Sequence, residues 1–287
     1  MFVIIGYVVC LGCIFGVYIM HGGNISVILH ALPFEIVTIL GGALGAFVVN
    51  NQPKVIKATL AALPMALKGS KYTKERYMEL MAMLYDILQK ARKEGLMAIE
   101  KDVETPHESE IFKKYPTVGS DHHVIEFTTD YLRMMVSGNL NSHEIEALMD
   151  SEIDTHHHEA LAPSQAMARL AGGLPAFGIV AAVLGVINTM SSVGQSPAIM
   201  GAMIGSALVG TFLGILLAYA IVEPLGGLME QKAEETSKEL MSIKATLLAS
   251  MQGYNPATAV EFGRKVLFST ERPTFTELEE HIKGSRT

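Results

Sequence analysis

The chain has 287 residues, of which 49% are hydrophobic and 18% charged, with a formal net charge of −7. An average soluble domain carries about 25% charged residues, so this composition excludes an ordinary soluble protein and fits a membrane protein with a polar portion. The acidic balance leaves no general basic patch, and nucleic acid is not an expected partner.

A helix needs about 20 largely apolar residues to cross a bilayer. Four runs supply them: Met1 to Met20, roughly Phe34 to Val49, roughly Leu174 to Met190, and roughly Ile199 to Val222. The first has no positive start and no small-x-small cleavage site before His21-Gly22-Gly23-Asn24, so it reads as a retained span and not a signal peptide. Trp is absent, leaving Tyr7, Tyr18 and Tyr219 to serve at the membrane interface. Cys10 and Cys13 have Cys-x-x-Cys spacing, but they fall inside the first apolar run and read as small hydrophobes.

All 22 Lys and Arg lie in Lys54 to Arg169 and Lys232 to Arg286, whereas the connectors 21–33 and 191–198 contain none. The positive-inside rule then places the connectors outside, and the polar segments and both termini in the cytoplasm. The expected fold class is an all-α integral membrane protein, with four transmembrane helices in two hairpins and a helical cytoplasmic domain. Its parts are a hairpin over 1–50, a cytoplasmic domain over 51–170, a second hairpin over 171–224 and a cytoplasmic tail over 225–287.

Four Gly-x-x-x-Gly pairs occur in the spans: Gly12 and Gly16, Gly41 and Gly45, Gly201 and Gly205, Gly210 and Gly214. Such pairs let helix backbones approach closely, within a subunit or between subunits. Pro175, Gly178, Ala182 and Gly185 share one side of the third span, and Ala207, Thr211, Gly214 and Ala218 share one side of the fourth. These faces read either as ordinary packing or as the border of an ion path with Thr211 as its polar group. No Asp, Glu, Lys, Arg or His falls in the middle of a span as delimited here, Glu35 and Glu223 reading as span ends. Intramembrane ionisable groups mark proton relays, so a titrating group is expected to come from a partner.

In the polar part, the spacing of Tyr77, Leu80, Met81, Leu84, Leu88 and Ala91 predicts a helix over 73–95, stopped at Gly95. Further helices are expected over about 122–137, over 141–170 running into the third span, and over 225–251, with a short acidic helix after Pro273. His143-Glu144 lacks the second His of a zinc-protease motif, and the run His156-His157-His158 points to different sides of a helix. There is no phosphate-binding loop, dinucleotide fingerprint or nucleophile elbow. No enzyme activity, metal site or cofactor is expected.

Several stretches are similar to those of the flagellar stator family of MotA, within the wider group that includes TolQ and ExbB. They are Ser70-Lys71-Tyr72-Thr73-Lys74, the segment Glu144 to Asp150, Leu174-Pro175-Ala176-Phe177-Gly178, Val209-Gly210-Thr211-Phe212-Leu213-Gly214, the segment Ala259 to Lys265, and Glu271-Arg272-Pro273-Thr274-Phe275. The resemblance covers nearly the whole chain. It implies a subunit of the bacterial inner membrane, in contact with lipid, that forms a homo-oligomeric ring, a pentamer, around the helices of MotB. MotB supplies the ion-binding Asp, and ion flow turns the ring against the rotor protein FliG. By the same resemblance Arg92 and Glu100 are rotor-contact residues, Pro175 and Pro224 couple ion flow to motion, and Thr211 lies near the ion. Ala182 stands where sodium-driven relatives carry Thr, which implies proton drive, because Na⁺ needs oxygen ligands. The alternatives are an envelope energiser of the TolQ/ExbB type, which typically has three spans, and a stand-alone channel.

Overall fold

The structure is a computed structural model that describes residues 2–138 and 141–284. Its contacts divide it into two compact units, Met1–Gly69 with Glu159–Lys232, and Ser70–His158 with Ala233–Thr287. Every regular element among the described residues is helical.

The first unit begins with α1 (Phe2–Met20) and α2 (Ile25–Asn50). The turn between them is far shorter than 21–33. Asn24 caps α2 by accepting a hydrogen bond from the Ser26 N–H at 3.1 Å, and Pro33 lies inside the helix without ending it. Next comes α3 (Pro53–Leu67), an amphipathic helix at the start of the polar segment. Pro53 opens it at the position where a missing N–H costs nothing, and the Lys232 ammonium donates to the Met65 and Lys68 carbonyls at its end. The unit is completed by the later part of α9 (Ser142–Met190), by α10 (Pro197–Leu216) and by the start of α11 (Glu223–Met251). Four helices here are long and apolar enough to cross a membrane. The helix α1 buries none of its residues, and Phe2, Ile4 and Val8 are exposed. An apolar helix exposed along its length needs lipid or another helix around it.

In the second unit, α4 (Lys74–Glu94) is the central element. Thr73 caps it, accepting from the Arg76 N–H, and Gly95 ends it at a φ of 92° that favours glycine. All six residues of the predicted apolar face are buried, but so are Ala82, Met83, Tyr85 and Ile87. A helix buried all round must be surrounded. The short helices α5 (Glu100–Glu104), α6 (Glu110–Lys113) and α7 (Pro116–Gly119) follow it, then α8 (His122–Ser137), with α12 (Pro256–Val266) and α13 (Phe275–Gly284) from the tail. The polar residues of α4 fasten these elements: Glu79 accepts from the Thr117 N–H and hydroxyl, Asp86 pairs with Lys114, and Lys90 with Asp102.

The start of α9 is fixed by a reciprocal cap, in which Asn141 accepts from the Glu144 N–H and Glu144 accepts from the Asn141 N–H. Thr274 and Glu277 make the same arrangement before α13. Lys74 and Thr274 hold the Glu277 carboxyl down to about 2.

The segment Ser70 to Lys74 is a set of anchors. Ser70 donates to Glu235, Lys71 pairs with Asp121, and the Tyr72 hydroxyl meets that of Thr236 at 2.7 Å. Behind it, Arg76 donates from Nε and Nη2 to the two oxygens of Glu239, at 2.6 and 2.9 Å. The same guanidinium reaches Asp121 and the Thr117 carbonyl. Burial works against the charge on Arg76, but Glu239 and Asp121 outweigh it and hold its pKa above the ordinary value. Burial pushes the Glu239 carboxyl up, against the pull of Arg76. Burial also opposes the charge of Asp121, yet Lys71 and Arg76 hold its carboxyl below the usual range.

Candidate ion path and rotor-contact residues

The faces predicted on the third and fourth spans pack against each other within the chain. A Cβ added to Gly178 would stand 2.8 Å from the Gly210 carbonyl oxygen and 3.0 Å from the Gly214 Cα. One on Gly185 would stand 2.7 Å from the Ala207 Cβ. So α9 and α10 meet nearly backbone to backbone, as small residues allow. Of the four Gly-x-x-x-Gly pairs, only Gly210 and Gly214 serve such a contact inside the chain. A Cβ at Gly12, Gly16, Gly41, Gly45 or Gly201 meets nothing within 4 Å, and at Gly205 only Val27 at 3.6 Å.

Thr211 and Ala182 are both half-buried. Thr38 and Thr189 donate their hydroxyls to the carbonyl four residues earlier, at 3.0 and 2.9 Å. The Thr211 hydroxyl makes no such bond to any described residue, which leaves it available to a ligand or to water.

Pro175 and Pro224 punctuate less than their residue type implies. Pro175 lies inside α9, which continues to Met190. Its ring removes one helical hydrogen bond, and the helix tolerates the loss because it is packed on α10. At Pro224 the chain also stays helical, but the turn before it widens into a π-helix over Leu217–Val222, in which the Glu223 N–H reaches back five residues to the Ala218 carbonyl. A wider turn relieves the clash between the proline ring and the carbonyl four residues before it. The Tyr7 hydroxyl donates to the Ile221 carbonyl in this turn, at 3.0 Å. Tyr7 therefore has a partner on the distorted turn in addition to any interfacial role.

Glu35 is not a helix end. It is the eleventh residue of α2, about 15 Å along the axis from Ile25 at 1.5 Å per residue. Its Oε2 is buried and has no hydrogen-bond partner. A Cβ on Gly210 would fall 2.7 Å from that oxygen, and 3.1 Å from both the Ala181 Cβ and the Ala182 N. A carboxylate therefore lies inside a helix that is long and apolar enough to cross a membrane. His30 also lies in α2, where it is exposed. The misplacement came from starting the span at Phe34, when the helix begins at Ile25.

In the second unit, Arg92 occupies the last turn of α4 and Glu100 opens α5, with both side chains exposed. A short helical turn, Leu96–Ile99, joins the two helices. Nearby, Lys90 pairs with Asp102, and Arg133 with Glu104 and Asp130, while Lys93, Glu94 and Lys101 are exposed. Among the described residues, Arg92 and Glu100 have no ion-pair partner within 4 Å, so their charges face outward uncompensated. Leu96 and Met97 are exposed between them. Among the described residues, no three His, Cys, Asp or Glu side chains gather as metal ligands.

Two family models match the chain, the N-terminal domain of motility protein A over residues 4–95 and the MotA/TolQ/ExbB proton channel family over 120–242. It is 49% identical over 286 residues to motility protein A of Salmonella typhimurium, covering 100% of this chain and 96% of the relative. With motility protein A of Escherichia coli it is 50% identical over 284 residues, covering 99% and 96%. The fold is similar to a solved structure of C. jejuni MotAB, with a TM-score of 0.76 at 23% identity, covering 95% of this chain and 98% of that one. Identity near one half over the full length settles what the packed glycines and the free Thr211 hydroxyl only outline: the chain belongs to the MotA/TolQ/ExbB proton channel family, as a stator subunit of the motility protein A kind.

Proposed function

We propose that this chain assembles in the bacterial inner membrane as a ring, a pentamer, around helices of MotB, and that proton flow between the two drives the ring against FliG. The observation that carries the reading is the end-to-end likeness to motility protein A. It is supported by the solved MotAB assembly, a complex with a second protein, whose MotA-like fold this chain shares. MotB contributes the Asp that binds the proton, facing Thr211 and Ala182. Proton drive follows from Ala182 and from a single free hydroxyl nearby. One hydroxyl cannot replace the several oxygens that a dehydrated Na⁺ requires, whereas a carboxylate takes up a proton with no further ligand.

The basic segments lie in the cytoplasm and the connectors outside. The soluble parts over 51–170 and 225–287 form the drive surface, and the hairpins over 1–50 and 171–224 form the membrane part. Arg92 and Glu100 contact the rotor. Exposed ion pairs contribute about 1 kcal/mol or less and are screened by salt, which suits a contact that forms and breaks on every step. The chain is not an enzyme. Its work comes from ion flow.

Reversing both charges, Arg92→Glu with Glu100→Lys, is expected to cut torque strongly while leaving the subunit in the membrane at the wild-type level. Swimming speed and stall torque at low salt read the effect. Wild-type torque in the double variant would remove these residues from the rotor contact.

A further inference from the structure

We infer that Glu35 is a protonatable relay on this chain, passing protons to the partner carboxylate at the level of Ala182 and Thr211. The inference rests on the stator reading and adds a second titrating group to it. Three observations meet at Glu35. It lies well inside α2, a helix long and apolar enough to span a bilayer. Its Oε2 is buried without a hydrogen-bond partner. And the neighbouring position on α10 is Gly210, where any side chain would collide with that oxygen.

A carboxylate placed like this is not a structural ion pair. The segments facing it, 174–190 of α9 and 197–216 of α10, carry no Asp, Glu, Lys, Arg, His, Cys or Tyr. On its own helix the nearest ionisable residue is His30, which is exposed and five residues away, on a different side. From α1 come only the weak acids Tyr7, Cys10, Cys13 and Tyr18. Glu35 is half-buried with one oxygen enclosed and unpaired, and such an oxygen is better satisfied when the carboxyl takes up a proton. That is the property of a relay. A proton from the outer water forms an O–H bond at Glu35. That bond breaks as the proton moves to the partner's carboxylate, which becomes neutral while Glu35 regains its charge until the next proton arrives. Gly210 keeps the space open, and the adjacent Thr211 hydroxyl can both accept and donate along the way.

The test is rotation in a strain lacking its own motility protein A, supplied with this chain and the MotB expressed beside it. Failure of the wild-type chain to restore rotation would count against the stator reading itself. Given rotation, Glu35→Gln is expected to slow the motor several-fold at low load and to change how speed depends on external pH. Glu35→Asp is expected to keep most of the speed. Glu35→Gln matching the wild type in speed and pH profile would overturn the relay, as would Glu35→Asp failing as fully as Glu35→Gln. Infrared difference spectra of the assembled complex, taken between acid and alkaline buffer with the partner's Asp changed to Asn, give a readout that does not need rotation. A carboxylic C=O band that moves in Glu35→Asp is expected. A spectrum that Glu35→Asp leaves unchanged would overturn the proposal.

Discussion

Arg76→Ala is expected to destabilise the Ser70–His158 and Ala233–Thr287 unit by about 3–5 kcal/mol, the range for breaking a buried ion pair by removing one partner. Arg76 is only 4% exposed and Glu239 only 2%. Once the guanidinium is gone, burial acts on the Glu239 carboxyl with only the attraction of Lys71 against it, and the Thr117 carbonyl also loses a donor. The loss is a large fraction of the stability of a small domain, about 5–15 kcal/mol. Protease resistance and the thermal midpoint of the purified protein read the effect. Adding Glu239→Leu should recover part of it, because the cost lies in the stranded charge and not in the missing contact. If the single variant melts like the wild type, the buried network does not hold this unit together.

The same network fixes a pH dependence. The folded pKa of Asp121 is depressed by Lys71 and Arg76, relative to an unfolded value of about 3.9. Its contribution is therefore fully present above the unfolded pKa and is lost as pH falls through the lower folded value. At neutral pH it is saturated, and only strongly acidic conditions remove it.

Gly178→Leu is expected to abolish rotation and to reduce the amount of subunit in the membrane. Overpacking a soluble core costs about 1–3 kcal/mol when side chains can shift. Here the first added atom would already lie 2.8 Å from a carbonyl oxygen and 3.0 Å from a Cα, and backbone cannot rotate away. The helices would have to part, and the Thr211 and Ala182 positions would part with them. Gly201→Leu is the contrasting variant, since a Cβ there meets nothing inside the chain. Immunoblots of the membrane fraction together with swimming assays separate the two. Equal behaviour of both variants would mean that the contact between α9 and α10 does not set the site.

Much of this was legible in the sequence because it rests on local chemistry. The helix α4 followed from its apolar face and Gly95 as stop, and α8 agrees with the range expected over about 122–137. The small-residue faces of α9 and α10 were legible from spacing, since Gly178, Gly185 and Gly214 repeat at helical steps. The burial of α4 on all sides was not, because the elements around it come from distant parts of the chain. Glu35 was missed for a specific reason. Hydropathy starts the second span at Phe34, whereas the chain starts the helix at Asn24, a capping residue standing just before Ile25. Reading the cap before the hydropathy would have put Glu35 inside. The widened turn before Pro224 was also hidden, since proline alone does not say whether a helix breaks, kinks or expands. Arg92 and Glu100 looked like an ordinary charged surface. Both are exposed and without an ion pair among the described residues, and so are Lys93, Glu94 and Lys101 beside them, so geometry alone does not single them out.

As a stator subunit of the MotA/TolQ/ExbB proton channel family, this chain converts proton flow into rotation. The most direct measurement is the speed of a bead on a single motor, in a strain lacking motility protein A and carrying this chain with its partner, across sodium concentrations at fixed proton-motive force. Restored rotation is expected, at a speed that follows the proton-motive force and is indifferent to sodium. A steep sodium requirement, or a motor that stays still with the subunit present in the membrane, would contradict it.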